Sequence, residues 1–402
     1  MQAKAETDSE VAIAPTETCP VLSPRMTLLF SLTCALAVAN VYAAQPLLES
    51  MAASLNVAPG LIGSVVTLTQ TGYLIGLLFL VPLGDWVNRK RLVIALLLFS
   101  ALALALAGLA PNLPILLGAM LLVGLLAVVV QLVVAWAAVL ADLQRRGKVV
   151  GTVTSGIVLG ILLARFLSGA IADLAGWRAV YWLSACLMLA IALVLARLMS
   201  PTPKPAKRPR YAALMGAFFR LYATEPQLRT RGIFALLIFA AFSMLWTTMV
   251  MPLTAMSLSH TQIGLFGFAG VAGALAASRA GRWADGGRGR RATGAALALL
   301  TLSWLPAAGA EMSLLWLIMG TIALDFAVQT VHVINQSTII AARPAEASRL
   351  VGAYMGFYSV GSALGAFVAP QLYALWGWQS VCLAGALVSL CAFILWARLH
   401  ES

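Results

Sequence analysis

Four polar residues within one apolar stretch carry the clearest chemistry in this chain. Asp325, Gln329, His332 and Gln336 fall at i, i+4, i+7 and i+11. At about 100° per residue they form a single stripe along a helix, and Asn335 lies off it. Asp325 is the only acid deep inside any apolar segment. An ionised carboxylate at mid-bilayer costs about 2.5–3.5 kcal/mol on insertion scales, so a chain that keeps one gives it a cavity or a partner to face. The chemistry on offer is reversible proton binding by Asp325, with His332 able to share the proton and Gln329 able to contact a polar substrate. Interhelical hydrogen bonding is the plainer use of the same stripe, at about 0.6 kcal/mol per bond.

Arg165 is a second charge far from either end of an apolar segment. A guanidinium cannot shed its proton, so it needs a counter-charge or a wet surface. A counter-charge on a neighbouring helix would meet that need, and so would a side chain that snorkels to the nearer surface. No nucleophile stands at helix-face spacing from a base, and no metal-ligand cluster or phosphate-binding Gly-Lys-Ser/Thr turn occurs. Neither catalysis nor a cofactor is therefore expected. The five cysteines, Cys19, Cys34, Cys186, Cys382 and Cys391, show no disulfide or zinc spacing.

The elements that must hold these charges are membrane helices. Of 402 residues, 61% are hydrophobic and 10% charged, whereas a soluble domain carries about 25% charged residues. A span needs about 20 apolar residues. Twelve stretches qualify, at roughly 26–46, 62–83, 92–110, 114–139, 149–172, 180–198, 232–253, 262–282, 293–310, 314–340, 350–372 and 379–397. Alternating segments of the barrel type are absent. The expected fold class is an all-α membrane protein with twelve transmembrane helices in two pseudosymmetric six-helix bundles, 26–198 and 232–402.

Charge placement sets the orientation. On this reading 24 of the 26 lysines and arginines fall on one side of the membrane, leaving only Arg165 and Arg178. Basic loops stay in the cytoplasm, so both termini are expected there. The net charge of +12 is thus a topology signal, and no nucleic-acid partner is expected. The expected partners are the lipid bilayer, protons and a small molecule, with the chain working as a monomer. Residues 1–25 read as a disordered cytoplasmic tail. Residues 199–231 read as a cytoplasmic linker whose Tyr211–Leu221 stretch could form an amphipathic surface helix.

The halves repeat. Gly84-Asp85-Trp86-Val87-Asn88-Arg89-Lys90-Arg91 returns 200 residues later as Ala284-Asp285-Gly286-Gly287-Arg288-Gly289-Arg290-Arg291. At an offset of 201, Gly151 meets Gly352, Gly160 meets Gly361, and Leu174-Ala175-Gly176-Trp177 meets Leu375-Trp376-Gly377-Trp378. Parallel halves related by an axis along the membrane normal place a substrate site between them near the midplane. At the same offset Asp325 falls opposite Gly124 and Arg165 opposite Ala366, so both intramembrane charges sit where the repeat is broken.

On this doubled loop the chain resembles the major facilitator superfamily, over nearly everything from about 26 to 398. The family loop reads Gly-x-x-x-Asp-x-x-Gly-Arg-Arg/Lys. Asp85, Arg89 and Lys90 match it, Asn88 replaces the second Gly, and Val81 stands where the first would be. The resemblance implies that Asp85, Arg89 and Asp285 act in conformational gating, although Arg89, Lys90 and Arg91 could simply anchor topology. The first, fifth and tenth spans are similar to a bacterial inner-membrane branch related to drug/proton antiporters and sugar-efflux permeases, which implies a bacterial inner membrane as the location. The fourth span departs from the antiporter pattern with Met120 and Val123, and Ile161 replaces a proline in the fifth. The resemblance also implies a cavity lined by the first, fourth, seventh and tenth helices. Asn40, Gln45, Gln131, Trp246, Gln329 and Tyr358 are the expected substrate contacts, and Asp325, His332 and Arg165 the proton-coupling set. The fold so implied also brings the fifth helix within reach of the tenth, so an Arg165–Asp325 pair is expected, either static or made and broken during transport. Helix packing would account for each contact residue equally well. Proton-coupled efflux of a small drug-like or sugar-like molecule is the function so implied. Import of a polar metabolite by symport is the alternative, and a non-transporting membrane sensor or scaffold is the alternative of another class.

Overall fold

The computed structural model describes residues 23–85, 87–141, 146–199, 211–285, 287–342 and 347–399. Residues 1–22 of the expected tail and 200–210 of the expected linker lie outside them. Among the described residues, eleven helices are long and apolar enough to cross a bilayer. Six belong to the first half: Pro24–Leu55, Gly60–Phe79, Arg89–Leu109, Leu113–Leu140, Lys148–Ala175 and Trp177–Leu198. The second half adds Pro226–Ala255, His260–Trp283, Gly289–Glu311 and Leu314–Ala342. The last helix, Arg349–Arg398, is two spans joined without a loop. Gly377 breaks it at φ 73° and ψ −172°, a conformation that a residue without Cβ adopts at little cost. The fold is the expected all-helical architecture of twelve spans in two bundles.

Local chemistry starts these helices. Ser23 Oγ accepts from Met26 N at the first span, Asn88 Oδ1 from Arg91 N at the third, and Asn112 Oδ1 from Ile115 N at the fourth. Ser259 and Gln262 form a reciprocal capping box at the eighth. Each side chain satisfies an N–H that the helix cannot. Several spans are interrupted in mid-course. The first stops at Tyr42, makes a tight turn over Gln45–Leu47 and resumes at Leu48. Pro46 lacks the N–H that would continue it. The fourth breaks at Val128 and the seventh at Met249, and the eighth tightens to a 3-10 turn over Phe266–Ala269. Such breaks survive at membrane depth only inside protein or beside a wet cavity.

The sequence repeat is realised contact for contact. Where the first span crosses the fifth, a Cβ on Gly160 would collide with Ala35 O. Where the seventh crosses the eleventh, a Cβ on Gly361 would collide with Leu236 O. Both members of the second contact are the first shifted by 201. Lipid offers little hydrophobic drive between helices, so this close backbone approach supplies the packing energy.

Two further crossings join the halves. Gly63 of the second span lies on Ala366 O of the eleventh, and Gly264 of the eighth lies on Arg165 O of the fifth. These are again one contact and its image at offset 201. They lie toward the face opposite the charged loops, here called the far face. On the basic face, the helix Tyr211–Thr224 touches both halves. Tyr211 Oη donates to Phe79 O at 2.8 Å, and Tyr222 Oη donates to Ala353 O at 2.9 Å.

Candidate functional site

A cavity of about 400 Å³ lies between the two halves. Its wall takes Tyr42 from the first span, Gln131 from the fourth, Arg165 from the fifth, Asp325 from the tenth and Tyr358 from the eleventh. The deepest wall residues, Tyr42, Arg165 and Asp325, sit near mid-span. The remaining wall, including Thr154, Ala277, Gln336 and Val351, runs along span segments nearer the charged loops. The cavity therefore faces the basic side, and the Gly63 and Gly264 crossings shut it on the far side.

Trp246 organises the floor. It stands 3% exposed on the seventh span, with Phe239 and Phe242 on the same helix face. Its Nε1–H donates to Asp325 Oδ1 at 3.0 Å. The Arg165 guanidinium carbon lies 3.6 Å from the centroid of its ring. The same guanidinium is 5.1 Å from the Tyr42 ring and 5.9 Å from the Phe242 ring. Arg165 Nε donates to Gln45 Oε1 at 2.6 Å, and Gln45 sits on the 3-10 turn that interrupts the first span. Arg165 and Asp325 are 2% and 3% exposed. The expected direct pair between them is not formed: an indole stands between the charges, with the cation on its face and the carboxylate at its edge. Arg165 Nη2 is buried and has no hydrogen-bond partner.

A ring of hydroxyls and amides completes the wall. Tyr42 and Tyr358 share a hydrogen bond of 2.6 Å between their hydroxyls. Gln131 Nε2 donates to Tyr73 Oη at 3.2 Å. His332 Nδ1 lies 3.1 Å from Tyr354 Oη, and its ring meets Phe239 edge-on at 5.1 Å. The stripe read from the sequence is real: Asp325, Gln329, His332 and Gln336 all line the cavity. Asn335 turns away and accepts from Arg231 Nη1 at 3.4 Å.

The other expected site residues divide. Gln131 and Tyr358 are in the wall, whereas Gln45 and Trp246 stand behind it, holding Arg165 and Asp325. Asn40 is buried and outside the wall. The side chains of Asp85 and Asp285 lie outside the described residues, and Arg89 Nε donates to Gly84 O at 3.0 Å within its own loop.

Sequence reasoning missed two features. Phe239, Phe242 and Trp246 are spaced i, i+3 and i+7, a signal that could have marked an aromatic face. The second is a contact between the halves at the far face. Asp173, ending the fifth span, accepts from His260 N at 3.0 Å and Thr261 N at 2.8 Å. It also meets His260 Nδ1 at 2.7 Å and accepts from Thr261 Oγ1 at 2.6 Å. No local pattern announces that contact, because its members are 87 and 88 residues apart.

Comparisons with known proteins agree with this fold. The family model described as Major Facilitator Superfamily matches residues 30–342 and 232–401. The uncharacterized transporter YgaY of Escherichia coli O157:H7 is 42% identical over 379 residues, covering 94% of this chain and 96% of that protein. Among solved structures, a bacterial homolog of the human lysosomal transporter Spinster, in an inward-facing and occupied conformation, superposes with a TM-score of 0.79. It is 13% identical, with 94% of this chain and 96% of that one covered. The nucleoside transporter NupG superposes with a TM-score of 0.76 at 15% identity, covering 94% and 99%.

Proposed function

The chain belongs to the major facilitator superfamily, and we propose that it is a proton-coupled secondary transporter that moves a small organic molecule by alternating access. One observation carries the proposal. A carboxylate and a guanidinium, both costly inside a bilayer, share the wall of one central cavity that contacts between the halves close on one side only. Rocking the halves about the Gly63 and Gly264 crossings would open the far face and shut the basic face. Gating at the basic face is the proposed role of Asp85, Arg89 and Asp285. On the sequence reading, 24 of 26 basic residues fall on that side, so it is the proposed cytoplasmic face of a bacterial inner membrane.

In this scheme Asp325 takes its proton from one compartment and releases it to the other. Export, the direction implied by resemblance to efflux branches, needs a substrate that displaces the proton. Uptake needs a substrate that binds together with it. The indole between the two charges favours this second reading for an anion. A proton on Asp325 leaves the charge of Arg165 uncompensated, and an anion can then use it.

The test is flux in proteoliposomes under an imposed pH gradient, with a panel of radiolabelled carboxylates, amines, nucleosides and sugars. The expected result is gradient-driven accumulation of at least one of them by the native protein. Asp325→Asn should abolish accumulation against a gradient while sparing downhill exchange of the same compound. Accumulation that survives Asp325→Asn would remove Asp325 as the coupling acid. Complete absence of flux across the panel would favour the sensor reading.

A further inference from the structure

We propose that the substrate is an organic monoanion with an apolar body, and that its carboxylate docks on Arg165. The inference rests on the transporter reading above and names the substrate class for the same cavity. Arg165 is the only lysine or arginine in the described wall, and Asp325 the only acid. A guanidinium offers five N–H donors in a planar fork suited to a carboxylate. Here Nε is spent on Gln45, one face is stacked on Trp246, and Nη2 has no partner although buried. An unsatisfied donor on a buried cation is expensive, and a charge-assisted bond to a ligand carboxylate removes that cost.

The rest of the wall sets the class. Val38, Val41, Ile161, Leu162 and Phe242 are apolar and line the same space. They suit a hydrocarbon or aromatic body. A single cation, with Asp325 nearby, neutralises one negative charge and no more, which disfavours phosphates and dicarboxylates. An amine fares worse. It would have to sit beside Arg165 to reach Asp325, whose Oδ1 is already engaged by the Trp246 N–H. The volume of about 400 Å³ falls within the range for small-molecule sites.

The same arrangement links anion and proton. The groups facing Asp325 across the cavity are Arg165 from the fifth span, Tyr42 from the first, Tyr73 from the second and Tyr358 from the eleventh, with His332 on its own helix. Of these, only Arg165 carries a fixed charge. An ionised Asp325 competes with a ligand carboxylate for the field of Arg165, and protonation ends that competition. Proton and anion should therefore bind cooperatively, which is the logic of symport.

Thermal unfolding of the purified full-length protein in detergent tests this. The probes are hexanoate, phenylacetate and 4-hydroxybenzoate, each with its neutral amide and the amine of the same skeleton. At least one carboxylate should raise the melting temperature while its amide and amine do not. The apparent affinity should weaken about tenfold or more in Arg165→Gln, the equivalent of one charged hydrogen bond, and less in Arg165→Lys. Stabilisation should be stronger at pH 6 than at pH 8 in the native protein and independent of pH in Asp325→Asn. Size-exclusion profiles separate lost binding from lost folding, and Arg165→Lys keeps the charge if Arg165→Gln does not fold. Stabilisation by the amides or amines equal to that by the carboxylates would overturn the proposal, as would no carboxylate effect or one that survives Arg165→Gln. Gradient-driven flux of a non-carboxylate with no carboxylate binding would sink this inference alone and leave the transporter reading standing.

Discussion

Trp246 serves two charges with two parts of one side chain, and those parts can be separated by mutation. Its face holds the Arg165 guanidinium, and its N–H holds the Asp325 carboxylate. Trp246→Phe keeps an aromatic face and removes the donor. Trp246→Ala removes both and leaves space under the guanidinium. A desolvated cation–π contact contributes up to about 2 kcal/mol. Carboxylate affinity should therefore stay within about threefold of native in Trp246→Phe and fall about tenfold or more in Trp246→Ala. Calorimetric titration with the best-binding carboxylate of the panel measures both, and equal losses in the two variants would mean that the stack holds nothing in place. At this scale the sequence was half readable. The Asp325–Gln336 stripe follows from helical period, and the insertion cost of Asp325 and Arg165 marks them as special. The indole between them is invisible to such reasoning. Trp246 is 79 residues from Asp325, and a Trp in an apolar span reads first as packing.

Glycines at helix crossings look alike in sequence and do different work in the structure. Gly361 packs within the second bundle, against Leu236 O, whereas Gly63 packs between bundles, against Ala366 O and Pro370. In the proposed rocking motion, contacts inside a bundle persist, and contacts between bundles at the far face exist only while that face is shut. Overpacking costs about 1–3 kcal/mol in either place, but the consequence differs. Gly361→Ala should lower the melting temperature and leave the conformational equilibrium alone. Gly63→Ala should penalise only the state with the far face closed and shift the population toward the open one. Spin labels at Pro111→Cys and Met312→Cys, exposed far-face sites in opposite halves, report the outcome. The distance distribution should gain a longer component in Gly63→Ala and none in Gly361→Ala. A distribution unchanged by Gly63→Ala would mean that the crossing is no part of the closure. The repeat was legible because the offset of 201 recurs in residue after residue. Which glycines cross between halves was not, since that depends on how the bundles sit together.

For the whole molecule the question is what holds the far face shut, and charge distribution gives only part of the answer. Counting basic residues assigns the two faces, and Arg178 is the one cation that reading leaves at the far face. It stacks on Trp177 and donates to Ala110 O, within its own half. The lock between halves lies instead at Asp173. Its side chain binds the first two backbone N–H groups of the eighth span, along with the His260 and Thr261 side chains. A carboxylate at a helix N-terminus satisfies orphan donors and meets the positive end of the helix dipole. Here that carboxylate belongs to the other bundle, so the cap must be broken for the far face to open. His260 and Asp173 are about a third exposed, and an ion pair so exposed contributes little by itself. The backbone cap is the larger part, at about 0.5–2 kcal/mol. Asp173→Ala should therefore raise the ratio of far-open to far-closed molecules about twofold to thirtyfold. Asp173→Asn, which keeps an acceptor oxygen but loses the charge, should fall between Asp173→Ala and the native protein. The same pair of spin labels reads the ratio. The two effects act at separate crossings of the same face, so Asp173→Ala combined with Gly63→Ala should shift it by about the sum of the single effects. A population unmoved by Asp173→Ala would show that the helix crossings close the far face unaided, and that the cap only orders the start of the eighth span.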